Sequence, residues 1–191
     1  MENAECDDDE EDSQVPTLVV SETHSHLFGK EILDSKYPHI VGEILEILAT
    51  TSIMEPSKVS KEKGRRGQVV YAGPDFNKPL GREFKQRGWA ARKVFYQNQK
   101  RYYIDVDFYK ERIGLEIQMG KYAFVLHDLY KFQYLFGLDQ LDVGVEIVPA
   151  ASLQRRMYSG PATFESVMTA VCSHARNEPP IPLWFIGIDV V

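Results

Sequence analysis

The sequence predicts a single α/β domain built on a central mixed β-sheet flanked by helices. Three observations lead there: a helix-period run at 38–51, three strand-like runs in succession between 93 and 119, and helices alternating with strands after 120. With 191 residues, of which 43% are apolar and 12% aromatic, the chain can bury a core that needs no disulfide or metal staple.

Residues 17–23 (TLVVSET) read as a short strand, and Ile40, Val41, Ile44, Leu45, Ile47 and Leu48 recur at helical spacing. SKVSKEKGRRG (57–67) is too polar and glycine-flanked for core and reads as a basic loop. NKPLGREFKQR (77–87) is a short helix stopped by Gly88. The runs KVFYQ, YYIDVDF and RIGLEIQM follow as strands. After Gly120 comes an aromatic-rich helix whose stripe of Val125, Leu129, Phe132 and Phe136 reads as core packing. LDVGVEIV (141–148) is a strand, 159–175 a turn into a helix, and PLWFIGIDVV (182–191) a final apolar strand.

Composition narrows the setting. The two cysteines are far apart and indicate neither a disulfide framework nor a zinc knuckle, which fits a reducing compartment. No run approaches the roughly 18 apolar residues of a membrane span, and the acidic N-terminus is unlike a signal peptide. A cytoplasmic protein without membrane contact is expected. Residues 1–12 hold eight of the 28 acids and no Lys or Arg, which leaves 20 acids against 22 bases in the body of the chain. The organisation expected is a disordered acidic tail at 1–14 and one folded domain at 15–191. Between Glu55 and Arg101 thirteen Lys and Arg face four acids, a candidate polyanion surface, although such a run is also what a solvated charged face looks like.

The stretch DFYKERIGLEIQ (107–118) carries the chemistry. Side chains alternate along a strand, so Glu116 and Gln118 point the same way. If the flanking strands pair through a tight turn near Lys110–Arg112, Asp107 comes beside Glu116. Two carboxylates that close are unfavourable unless a cation lies between them. An all-oxygen site of this kind suits Mg²⁺, which can activate water against a phosphodiester. A surface hairpin with ordinary acids is the alternative.

The pattern Asp107, then Glu116-Ile117-Gln118, resembles the active-site motif of the BglII-type restriction endonucleases, members of the PD-(D/E)xK nuclease fold in which glutamine replaces the lysine. VSKEK (59–63), PDFNK (74–78), KERIGLEIQMGKYAFVLHDL (110–129), DVGVEIVP (142–149), Ser159-Gly160 and PLWFIGI (182–188) are similar, in order, to stretches of that group. The resemblance implies that Asp107, Glu116 and the Ile117 carbonyl bind the catalytic Mg²⁺, while Gln118 orients the attacking water. It also implies that Ser60, Lys61, Lys63, Asn77, Lys78, Lys121 and Ser159 approach DNA. The implied enzyme is a type II restriction endonuclease. As a homodimer it would cut both strands of a palindromic double-stranded site with a GATC core flanked by purine and pyrimidine (R^GATCY), leaving 5′ phosphates. A cognate DNA methyltransferase is expected in the same system.

Some relatives carry an amide or acid shortly after the tryptophan corresponding to Trp89, whereas Ala90, Ala91 and Arg92 follow it here, so a fourth active-site residue is not evident. Asp105 shares the face of Asp107 by strict alternation, and Glu43 or Glu46 could point to the metal. His24 and His26 lie on one strand face but lack further ligands, and His127 reads as structural or surface. Two alternatives stay open: a structure-specific or repair nuclease of the same fold, and a non-catalytic DNA-binding module.

Overall fold

A computed structural model describes residues 16–173 and 178–191, so the acidic tail lies outside the described residues. A six-stranded sheet runs in the order β1-β8-β7-β6-β5-β4, comprising β1 (Leu18–His26), β4 (Ala90–Phe95), β5 (Tyr103–Lys110), β6 (Ile113–Ile117), β7 (Val143–Pro149) and β8 (Leu183–Val190). The central strands β6, β7 and β8 are parallel and the outer pairings antiparallel, which makes the sheet mixed, as the sequence predicts.

One face of the sheet is covered by α1 (Gly29–Lys36), α2 (Pro38–Thr50) and α3 (Gly73–Gln86). Ile40, Ile44 and Ile47 of α2 and Phe76, Leu80 and Phe84 of α3 pack there on Ile113, Leu115, Ile117, Val143, Val145 and Ile147. The opposite face carries α4 (Tyr122–Gly137) and α6 (Phe164–Ser173), with Val125, Leu129, Phe132 and Leu135 inward. A short α5 (Ala151–Gln154) follows β7, and the basic loop is pinched by a two-stranded pair, β2 (Lys58–Val59) and β3 (Val69–Val70). Among the described residues no helix is long and apolar enough to cross a membrane.

Helix α3 starts four residues before the sequence places it. The buried Asp75 carboxylate accepts from Ala72 N–H at 2.7 Å and Ser57 Oγ at 2.6 Å, closing the first turn. Pro79 lies inside the helix and cannot donate to the Asp75 carbonyl, which accepts from Met54 N–H instead (3.2 Å). Helix α1 is absent from the sequence reading. It begins after Leu27 and Phe28, both in left-handed backbone conformations, with no side-chain cap to announce it.

Candidate active site

Strands β5 and β6 form the expected hairpin. Lys110 pairs with Ile113, so the turn is Glu111-Arg112, both residues left-handed (φ 49 and 67). Neither is glycine, and the turn is held from outside: Arg112 donates to both Asp142 and Asp139 at 2.7 Å. Burial alone would raise the Asp142 carboxyl, but hydrogen bonds from Lys36, Tyr37 and Arg112 hold it down at about 2.

At the far end of the hairpin Asp107 meets Glu116, and the Asp107 N–H donates to Glu116 Oε1 at 3.3 Å. Strict alternation fails just before this point. Two residue steps along β4, from Ala90 to Arg92, span three along β5, from Tyr109 to Val106. Ile104 and Val106 accordingly pack in the cluster under α4, whereas Phe108 packs in the opposite one. This bulge leaves Asp107 on the Glu116 face and sends Asp105 to the other, beside Lys93, which corrects the expectation that Asp105 shares the face of Asp107.

Glu116 is 3% exposed and faces α4, not solvent. Its Oε1 also receives Lys131 Nζ at 2.6 Å, and Lys131 Nζ lies 2.7 Å from Asp128 Oδ1. Asp128 Oδ2 accepts Gln118 Nε2 at 2.7 Å, and Gln118 Oε1 accepts Gly120 N–H at 2.9 Å. Directly across β7 lies Glu146, wholly buried, with neither carboxylate oxygen hydrogen-bonded among the described residues. Burial first, then the charge of Asp128, with Asp107 adding to them, pushes the Glu116 carboxyl up to about 9 against the pull of Lys131. Burial first, then Asp128 and Glu116, raises Glu146 well above the carboxylate range. Burial opposes the charge on Lys131, yet Glu116 and Asp128 prevail and raise its pKa, so the ammonium stays cationic.

Lys131, Asp128 and Glu146 were not singled out from the sequence. The stripe predicted from helical spacing passes through Phe136, which is 39% exposed, whereas the buried stripe runs Val125, Asp128, Leu129, Lys131, Phe132, Leu135. An acid and a lysine three apart inside an apolar stripe, and a lone acid inside VGVEIVP, were the signals available.

Glu43 and Glu46 are engaged elsewhere: Glu43 takes Trp89 Nε1 and Lys110 Nζ, and Glu46 takes Arg87. His26 bonds the Pro179 carbonyl at 2.8 Å, and His127 lies exposed 4.0 Å from Asp128. Among the described residues no group of three or more His, Cys, Asp or Glu is set to hold a metal ion. Asp107 and Glu116 with the backbone of Ile117 nonetheless fit a hard divalent ion, since four neighbouring carboxyls share one ammonium and Asp107 opens to solvent.

The residues expected at DNA lie on separate segments. Ser159 donates from N–H and Oγ to Glu62 at 2.6 Å, Lys58 Nζ lies 3.9 Å over the Tyr158 ring, and Tyr158 Oη donates to the Met119 carbonyl. Lys61, Lys63, Lys121, Asn77 and Lys78 are exposed, the last two on α3. Ser60 is 3% exposed and its Oγ accepts Glu62 N–H, so it shapes the loop from inside.

The BglII/BglIII restriction endonuclease family matches residues 21–188. The chain belongs to that family. It is a type II restriction endonuclease, a DNA-cleaving enzyme. Its fold is similar to the crystal structure of restriction endonuclease BglII complexed with a DNA 16-mer: 19% identity, 87% of this chain and 74% of that one, TM-score 0.72. Free BglII is similar at 18% identity, 87% and 77% coverage and TM-score 0.62. No curated protein sequence matches.

Proposed function

We propose that this endonuclease hydrolyses both strands of a short palindromic site, R^GATCY, with Mg²⁺ held by Asp107, Glu116 and the Ile117 carbonyl. The observation that carries the reading is that Asp107 lies against Glu116 across the hairpin: its N–H donates to Glu116 Oε1 at 3.3 Å, and its charge helps to raise the Glu116 carboxyl. When bound, the ion supplies a nucleophile at neutral pH and stabilises the charge that grows on the phosphate and the departing 3′ oxygen. Gln118 is neutral and cannot serve as a base. One Nε2 hydrogen is committed to Asp128, leaving the second to orient the attacking water. Lys61, Lys63, Lys78 and Lys121 neutralise phosphates, so binding weakens steeply with salt, and Ser159 works near the base edges. Asn77 adds a neutral contact beside Lys78, and Ser60 holds the shape of the loop.

A palindrome presents the same half-site twice, which supports a homodimer. The exposed Leu126 and Tyr130, one turn apart on α4, offer an apolar face for the second copy. Residues 15–191 form the catalytic and DNA-binding domain with the acidic tail outside it, and the enzyme works in the cytoplasm beside a cognate methyltransferase.

Digestion of a sequenced plasmid in Mg²⁺ tests this reading. Discrete fragments with 5′-phosphorylated ends before the G of GATC are expected. A smear would instead favour a nuclease that reads shape, and binding without any cutting would favour a DNA-binding module.

A further inference from the structure

We propose that Lys131 is a positioning residue for the reaction, orienting the metal-side carboxylate Glu116 and, through Asp128, the amide of Gln118. This deepens the reading above and rests on its assignment of Glu116 and Gln118.

Lys131 reaches the sheet because of two glycines. Gly114 and Gly144 are register partners on β6 and β7, and a Cβ at either would meet the Phe132 ring at 2.9 or 2.6 Å. Without those Cβ atoms, α4 settles on the sheet and brings the preceding residue, Lys131, against Glu116. The lysine, Glu116 and Asp128 side chains are 8%, 3% and 4% exposed, so water does not screen them.

The hydrogen-bond pattern assigns the work. Glu116 Oε1 is taken by two donors, Lys131 Nζ and Asp107 N–H, while Oε2 has no hydrogen bond among the described residues and stays open to an ion. The same ammonium fixes Asp128 Oδ1, whose other oxygen holds Gln118 Nε2. One buried cation thus sets the rotamers of two active-site side chains without touching the reacting atoms. It also supplies, from a helix, the positive charge that the neutral Gln118 lacks. Such outer partners are generally worth about 10- to 100-fold in activity.

The test compares wild type with Lys131→Met, Lys131→Arg, Asp128→Asn and Asp107→Asn, all as full-length protein. Single-turnover cleavage is measured at saturating Mg²⁺, DNA affinity in Ca²⁺, and the Gln118 side-chain amide signal by NMR of the DNA-free protein. Lys131→Met is expected to cut roughly 10- to 100-fold more slowly with DNA affinity within about twofold of wild type, and its Gln118 amide signal shifts. Lys131→Arg should recover part of the rate. The proposal is overturned if Lys131→Met cuts within about threefold of wild type, or if its loss tracks DNA affinity and folded fraction with the Gln118 signal unmoved. Should Lys131→Met not fold, Lys131→Arg and Asp128→Asn carry the same comparison: a rate at wild-type level in both, with Gln118 unmoved, overturns it. Asp107→Asn separates the two readings, because wild-type cutting there defeats the assignment of the active site itself.

Discussion

The two faces of β6 and β7 are opposites. Towards α1, α2 and α3 the strands present Ile113, Leu115, Ile117, Val143, Val145 and Ile147, an unbroken apolar surface. Towards α4 they present Gly114, Glu116, Gly144 and Glu146, two glycines and two acids in matched register. Two acids buried directly opposite one another on neighbouring strands cost stability, which is why both carboxyls are pushed up, and the apolar face compensates. One side of the same ten residues holds the fold together, and the other spends part of that stability on a charged site. Lys131 and Asp128 make the second side tolerable, and the glycines let their helix come close enough to do so.

Substitutions on the two faces should separate stability from chemistry. On the acid face, Asp107→Asn should reduce Mg²⁺-dependent cleavage on the order of a thousandfold, since the ion contributes several kcal/mol at the transition state. Specific DNA binding in Ca²⁺ should survive, as a gel-shift titration checks. On the apolar face, Leu115→Ala should lower unfolding free energy by about 2–5 kcal/mol in urea. The rate per folded molecule should hold, and a fall as large as that of Asp107→Asn would break the division of labour.

Between these two, Asp142→Asn probes the clamp that holds the hairpin turn, and a loss of about 1–3 kcal/mol is expected from removing a charged hydrogen-bond acceptor. Asp142 has a folded pKa of about 2, below its ordinary 3.8. Its contribution is therefore present above pH 3.8 and lost as pH falls through about 2. Thermal melts of wild type and Asp142→Asn should converge in that acid range and stay apart at neutral pH. The smallest effect is expected at Glu62, the acid within the basic loop. Glu62→Gln removes a negative charge from the loop and loosens Ser159, so DNA affinity should rise by roughly two- to fivefold at low salt and return to wild type at high salt.

The hairpin, the mixed sheet and the approach of Asp107 to Glu116 were legible because period-2 alternation and the spacing of Asp107 and Glu116 are local properties of the chain. Asp105 was misplaced because a bulge changes the phase of alternation without changing composition. Helix α1 escaped because no capping side chain marks its start. Lys131, Asp128 and Glu146 escaped for a different reason: their partners are far along the chain, and only the docking of α4 brings them together. The lysine that the Glu-x-Gln motif lacks is absent from the strand, yet a lysine from the helix is bonded to its glutamate.

The central claim is that Asp107 and Glu116 share one divalent ion. Anomalous scattering from crystals soaked in Mn²⁺ with cognate DNA measures this directly. The account predicts a peak within about 2.0–2.4 Å of a carboxylate oxygen from each residue, on the Oε2 side of Glu116. A fully occupied peak elsewhere, with Glu116 still bound only to Lys131 and the Asp107 N–H, would contradict it.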